Sequence, residues 1–171
     1  MAKTYVPLAT QTLGSAAASV TFSGISGAYT DLVLVVANFT AANNSANLWA
    51  TVNGDSGSNY SSTLLGGYVS GAFSTRTSST AKIFLGAWNT GIQSSSSYPA
   101  MATVNFMNYS NATTYKTVLA RVGFMTSTSS ETDVSVSLWR STAAITSITV
   151  NPDSGNINTG AVFSLYGIAS A

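Results

Sequence analysis

Histidine and cysteine are absent from all 171 residues, and charge is nearly so: six Lys and Arg stand against five Asp and Glu, 6% of the chain. A soluble domain ordinarily devotes about a quarter of its residues to those four types. Each absence removes a class of chemistry. Without histidine there is no side chain whose ordinary pKa lies near neutrality, and no Ser-His-Asp arrangement can form. Without cysteine there is no thiolate nucleophile, disulfide, zinc knuckle or iron–sulfur ligand. The basic residues Lys3, Arg76, Lys82, Lys116, Arg121 and Arg140 are scattered. Nucleic-acid binding needs a clustered basic stripe, so no nucleic acid is expected as a partner. The longest aliphatic run, Leu32 to Ala37, falls far short of the roughly 20 residues that cross a bilayer, so no membrane partner is expected either. Met1 to Pro7 lacks the apolar stretch of a secretory signal, which predicts synthesis in a cytoplasm, where the chain stays or which it leaves by a route other than the general secretory one.

What is present is a Ser-, Thr-, Asn- and Gly-rich chain around an apolar interior, 45% hydrophobic with a mean hydropathy of +0.25 and a net charge of +1. That size buries a core as one domain without disulfide or metal staples. So small a net charge leaves little repulsion between copies. A homo-oligomer is therefore expected, with a trimer as the specific guess.

Short polar clusters alternate with β-branched and aromatic runs along the whole length, the pattern of an all-β protein with little or no helix. Strands are expected over 4–9, 17–23, 31–39, 47–53, 59–70, 80–89, 100–109, 114–126, 132–140, 144–151 and 160–168. This count suggests a single antiparallel β-sandwich, jelly-roll-like, over residues 15–171, with residues 1–14 as an N-terminal arm or edge segment. Val118, Ala120, Val122 and Phe124 share one face of their strand. Val134, Val136 and Leu138 oppose Asp133, Ser135, Ser137 and Trp139. Leu32 to Val36 is apolar on both faces, as a central strand covered on both sides would be. Asn53-Gly54 reads as a hairpin turn, Pro152 to Gly155 as a type I turn, and Ser94 to Ser97 as a loop.

No catalytic, cofactor or metal site emerges. A Ser-Lys dyad would need Lys82 or Lys116, both of which read as solvated or snorkelling side chains within strand patterns. Glu131 and Asp133 would share a strand face and could flank a glycosidic bond, but they read as a charged edge that discourages strand addition. Asn53-x-Asp55-x-Gly57-x-Asn59 has calcium-loop spacing with one carboxylate and no distal Glu, so it reads as a turn. Five Asn-x-Ser/Thr sequons, at Asn38, Asn43, Asn59, Asn108 and Asn111, are about what this composition yields by chance, and no glycan is assigned. Trp88 reads as core. Trp49 and Trp139 lie on otherwise polar strand faces, where tryptophan anchors partner contacts or stacks on sugars.

The stretches Met107 to Arg121, Leu138 to Val150, Ser154 to Ile168 and Tyr5 to Gly14 resemble small β-rich structural proteins of tailed bacteriophages. The resemblance implies a virion component: a capsid decoration (cement) protein or a fibre-type protein. On that reading the protein is non-enzymatic, is made in the host cytoplasm and leaves by lysis. Its partners are further copies of itself and the major capsid protein or other virion proteins. Tyr5, Trp49 and Trp139 are the expected interface residues. The alternative is a tail or fibre adhesin, or a carbohydrate-binding sandwich, that touches the host surface.

Overall fold

A computed structural model describes residues 4–42, 46–86, 98–125 and 127–169. Trp88, Asn43 and Ser94 to Ser97 lie outside the described residues. In chain order the strands are β1 (Tyr5–Thr12), β2 (Val20–Phe22), β3 (Asp31–Phe39), β4 (Leu48–Val52), β5 (Tyr60–Tyr68), β6 (Gly71–Thr80), β7 (Ile83–Gly86), β8 (Ala100–Met107), β9 (Lys116–Met125), β10 (Ser130–Trp139), β11 (Ile148–Pro152) and β12 (Val162–Ile168). Among the described residues there is no helix.

The strands form a β-sandwich of two antiparallel sheets. One has eight strands in the order β1-β12-β3-β8-β9-β10-β5-β6, the other four in the order β2-β11-β4-β7. The sheets are unequal, where a jelly roll divides eight strands between two. Residues 5–12 form an edge strand paired to β12, so the N-terminal segment joins its own sheet. Leu32, Leu34 and Val36 of β3, Val104 and Phe106 of β8, and Val118, Ala120 and Val122 of β9 pack against Leu48, Ala50, Val52, Ile148 and Val150 of the smaller sheet. Val33 is buried on the other face of β3, as its two-sided apolar pattern requires.

Three expectations are corrected. Residues 71–79 fall outside every expected strand yet form most of β6; its sequence GAFSTRTSST is polar apart from Ala72 and Phe73, and as the sheet's outermost strand it pairs through its backbone with β5. Asn53-Gly54 does form the turn that its residues favour: both have positive φ (53° and 67°), and Asp55 N–H donates to Val52 O at 2.9 Å. Yet β4 and β5 belong to different sheets, so the turn crosses the sandwich instead of closing a hairpin. The third concerns β10. Asp133, Ser135, Ser137 and Trp139 face inward, while Val134 and Val136 are 40% and 49% exposed.

The inward polar face of β10 has a partner. β7 is the outermost strand of the smaller sheet among the described residues, and an outermost strand turns part of its backbone away from its own ladder. Ser135 Oγ donates to Phe84 O at 2.9 Å, Ser137 Oγ lies 3.5 Å from the same oxygen, and Ser62 and Ser137 hydroxyls meet at 2.7 Å. A row of serines thus receives β7 of one sheet on the face of the other. Gly86 permits the close approach: a Cβ there would sit 2.6–2.7 Å from Val122 Cγ2 and Cβ. Gly86→Ala is expected to lower unfolding stability by about 1–3 kcal/mol in urea titration. Gly67→Ala, with nothing within 4 Å of its Cβ position, should leave stability almost unchanged.

Candidate functional site

The residues that composition offered for chemistry are engaged in holding the fold. Asp55, the sole carboxylate of the calcium-like loop, accepts from Trp139 Nε1 at 2.6 Å, Gly57 N–H at 2.9 Å and Asn59 Nδ2 at 3.0 Å. Asn53 Oδ1 caps Thr146 N–H at 2.8 Å and Ser147 N–H at 3.1 Å, and its Nδ2 donates to Ala144 O. The loop is a clasp, and among the described residues no group of three carboxylate side chains gathers to hold a metal ion. The indole bond, aided by Asn59 and Gly57 and partly opposed by burial, holds the Asp55 carboxyl below its ordinary range. Close by, burial pushes the Tyr60 phenol up to about 12 while its hydroxyl donates to Asp55 O at 2.9 Å.

Trp139 is therefore core, 3% exposed, which corrects its expected place at a partner surface. Its large ring outweighs the small hydroxyls beside it and takes their whole face inside with it. Glu131 and Asp133 do share a face, but it is the inner one, where they are 5% and 1% exposed. β10 lies between β9 and β5, so the pair does not form a charged edge. Lys116 is also inside and not solvated. It lies opposite Trp139, with Nζ donating to Thr114 O at 2.6 Å and Thr142 O at 3.1 Å, and desolvation pulls its pKa down. Those carbonyls occupy the ammonium where a Ser-Lys dyad would need a hydroxyl. Lys82 Nζ sits 5.9 Å above the Trp49 ring, a cation–π contact.

Trp49 is half-buried on the outer face of the smaller sheet, edge-on to Phe84 at 5.0 Å. Tyr5 is 57% exposed and lies edge-on to Tyr166 at the rim of the larger sheet. A groove of about 390 Å³ opens where β1 and β2, the outer strands of the two sheets, diverge. Leu8, Gln11, Phe22, Ile25 and Tyr29 line it, and Gln11 Nε2 already bridges it to Thr21 O at 2.8 Å.

The surface that stands out is the outer face of the eight-stranded sheet. Leu65 of β5 lies opposite Val134 of β10, and Val136 lies opposite Leu119 of β9. Met101 of β8 and Met125 of β9 stand further along the same face, at 64% and 60% exposure, with Leu65 at 60%. Burying one such side chain is worth about 1.5–3 kcal/mol, which these residues forgo in the monomer. Leu65, Met101 and Met125 were not singled out from the sequence. The available signal was Trp139: the position of one indole fixes which way every residue of β10 points.

A scan of family models and searches of curated proteins and of solved structures each find no match to this chain.

Loss of the Asp55 anion should be visible in the pH dependence of stability. Its folded pKa lies below the ordinary value of 3.8, so the anion's contribution is fully present above about pH 4 and is lost as pH falls through the folded pKa. Urea midpoints measured between neutral pH and about pH 3 are expected to drop more steeply for the natural chain than for Asp55→Asn, with intrinsic tryptophan fluorescence reporting the transition.

Proposed function

We propose that this chain is a non-enzymatic structural protein that works by assembly, and specifically a decoration protein of a tailed-bacteriophage capsid that oligomerises and binds the particle lattice. The observation that carries the assembly reading is the solvent-facing apolar row Leu65–Val134–Val136, with Met101 and Met125 beyond it, on the outer face of the eight-stranded sheet. Contiguous exposed apolar surface marks an interaction site. The engagement of Asp55, Glu131, Asp133 and Lys116 in the fold points the same way, because it leaves those groups structural work. The virion assignment itself rests on the resemblance of the four sequence stretches. Tyr5 continues the outer face at its rim, and Trp49, across the sandwich, is the second proposed contact.

Quantitative mass spectrometry of purified particles tests the assignment through the number of copies per major capsid protein. Hundreds of copies per particle are expected for a decoration protein. A handful would move the chain to a tail or fibre and favour host-surface binding, and complete absence from particles would sink the virion reading.

A further inference from the structure

We propose that the outer face of the eight-stranded sheet docks an acidic protein surface, whose carboxylates pair with Arg76 and Arg121 on either side of the Leu65–Val134–Val136 ridge. This rests on the assembly reading above and adds to it the face used and the chemistry of the partner.

Arg76 of β6 lies opposite Thr63 of β5, which lies opposite Val136 of β10. Arg121 of β9 lies opposite Val134 of β10. The two arginines are thus three strands and one two-residue step apart, roughly 16 Å between Cα atoms at sheet spacings of about 4.8 Å and 3.4 Å. Each borders its own shallow depression. Arg76 shares one of about 320 Å³ with Thr63, Thr77, Thr117 and Val136. Arg121 shares one of about 370 Å³ with Met101, Thr103, Gly123 and Thr132. Both arginines are exposed and make no ion pair or side-chain hydrogen bond among the described residues. Arg140, by contrast, is tied to Ser61 Oγ and Ser58 O.

A free guanidinium beside neutral hydroxyls suits a carboxylate, which it grips in a bidentate fork. Two such groups are too few to neutralise a run of phosphates, and the ridge between them is apolar. A second copy of this chain is the wrong partner for this face. Asp55 is held by Trp139, Asp31 accepts from Asn108 N–H, Asp153 accepts from Asn47, and Glu131 and Asp133 are buried. Each side-chain carboxylate of the chain is thus hydrogen-bonded within the fold or buried, none stands on this face beside the ridge, and two copies of the face would set arginine against arginine. The counter-charge must come from a different protein.

The test uses the full chain in surface plasmon resonance against immobilised synthetic peptides that alternate Glu with Val or Lys with Val. The proposal expects selective binding to the Glu peptide, weakened by about tenfold or more in the Arg76→Glu/Arg121→Glu double variant. It also expects that double variant to gain affinity for the Lys peptide. Unchanged melting of the variant checks the fold, and if the charge reversal proves unstable, Arg76→Gln/Arg121→Gln should show the same loss of Glu-peptide binding without a gain for the Lys peptide. Equal binding to both peptides, insensitivity to the double variant, or stronger binding to an oligonucleotide or to anionic phospholipid vesicles would overturn the proposal. Particles stripped of this chain supply the second arm. If they take up the natural chain and the double variant equally, the docking proposal fails while the virion reading stands. If the peptide selectivity holds and the particles take up neither, the virion reading fails and the face keeps its assignment.

Discussion

The hydrogen bonding of β7's backbone by serines of β10 is the constraint from which most of the molecule follows. An unpaired buried carbonyl costs about 1–3 kcal/mol. The smaller sheet turns the β7 backbone toward the larger one, and Ser135, with Ser137 and Ser62 behind it, meets that backbone with side chains short enough to keep the sheets close. At the end of the same face, Trp139 is locked by its indole bond to Asp55, which also fixes the loop that carries the chain from one sheet to the other. Strand side chains alternate with a period of two, so inward serines and indole force Val134 and Val136 outward. The seam that joins the sheets and the apolar ridge on the surface are two sides of one choice.

That choice explains how much was legible in the sequence. Alternation is local, so the periods of β9 and β10 and the two-sided apolar pattern of β3 could be read directly from residues 118–124, 133–139 and 32–36. Which face points inward is not local. Side-chain polarity alone would put Val134, Val136 and Leu138 on the core face, and it is outweighed by a partner, the β7 backbone, that lies about fifty residues away in sequence. β6 escaped notice for a related reason. Its stability comes from the β5 ladder, and a polar edge strand carries little signal of its own. The Asn53-Gly54 turn shows the same limit: its backbone geometry follows from two residues, but its destination depends on where Asp55 finds an indole.

The candidate site was less legible than the fold because the chain's few charges had been weighed as surface groups. Lys116, Glu131 and Asp133 are all interior, and Asp55 is a strut. In a chain of ordinary charge such internal uses would be diluted by dozens of exposed partners. Here they consume most of the supply, and what remains exposed and unengaged among the described residues, Arg76 and Arg121, falls on one face.

Division of labour on that face accounts for an otherwise awkward combination of properties. A surface this poor in charge gains its affinity from apolar area, a contribution that salt screens little. Apolar ridges on a flat sheet, however, define register poorly, since a partner can slide along them. In the proposed docking, two arginines whose Cα atoms are roughly 16 Å apart on opposite flanks of the ridge supply what the ridge lacks, a fixed position and orientation, at a small cost in salt sensitivity. A protein that binds in many copies needs that combination: each contact can be modest because repetition multiplies it, but every contact must be in the same place.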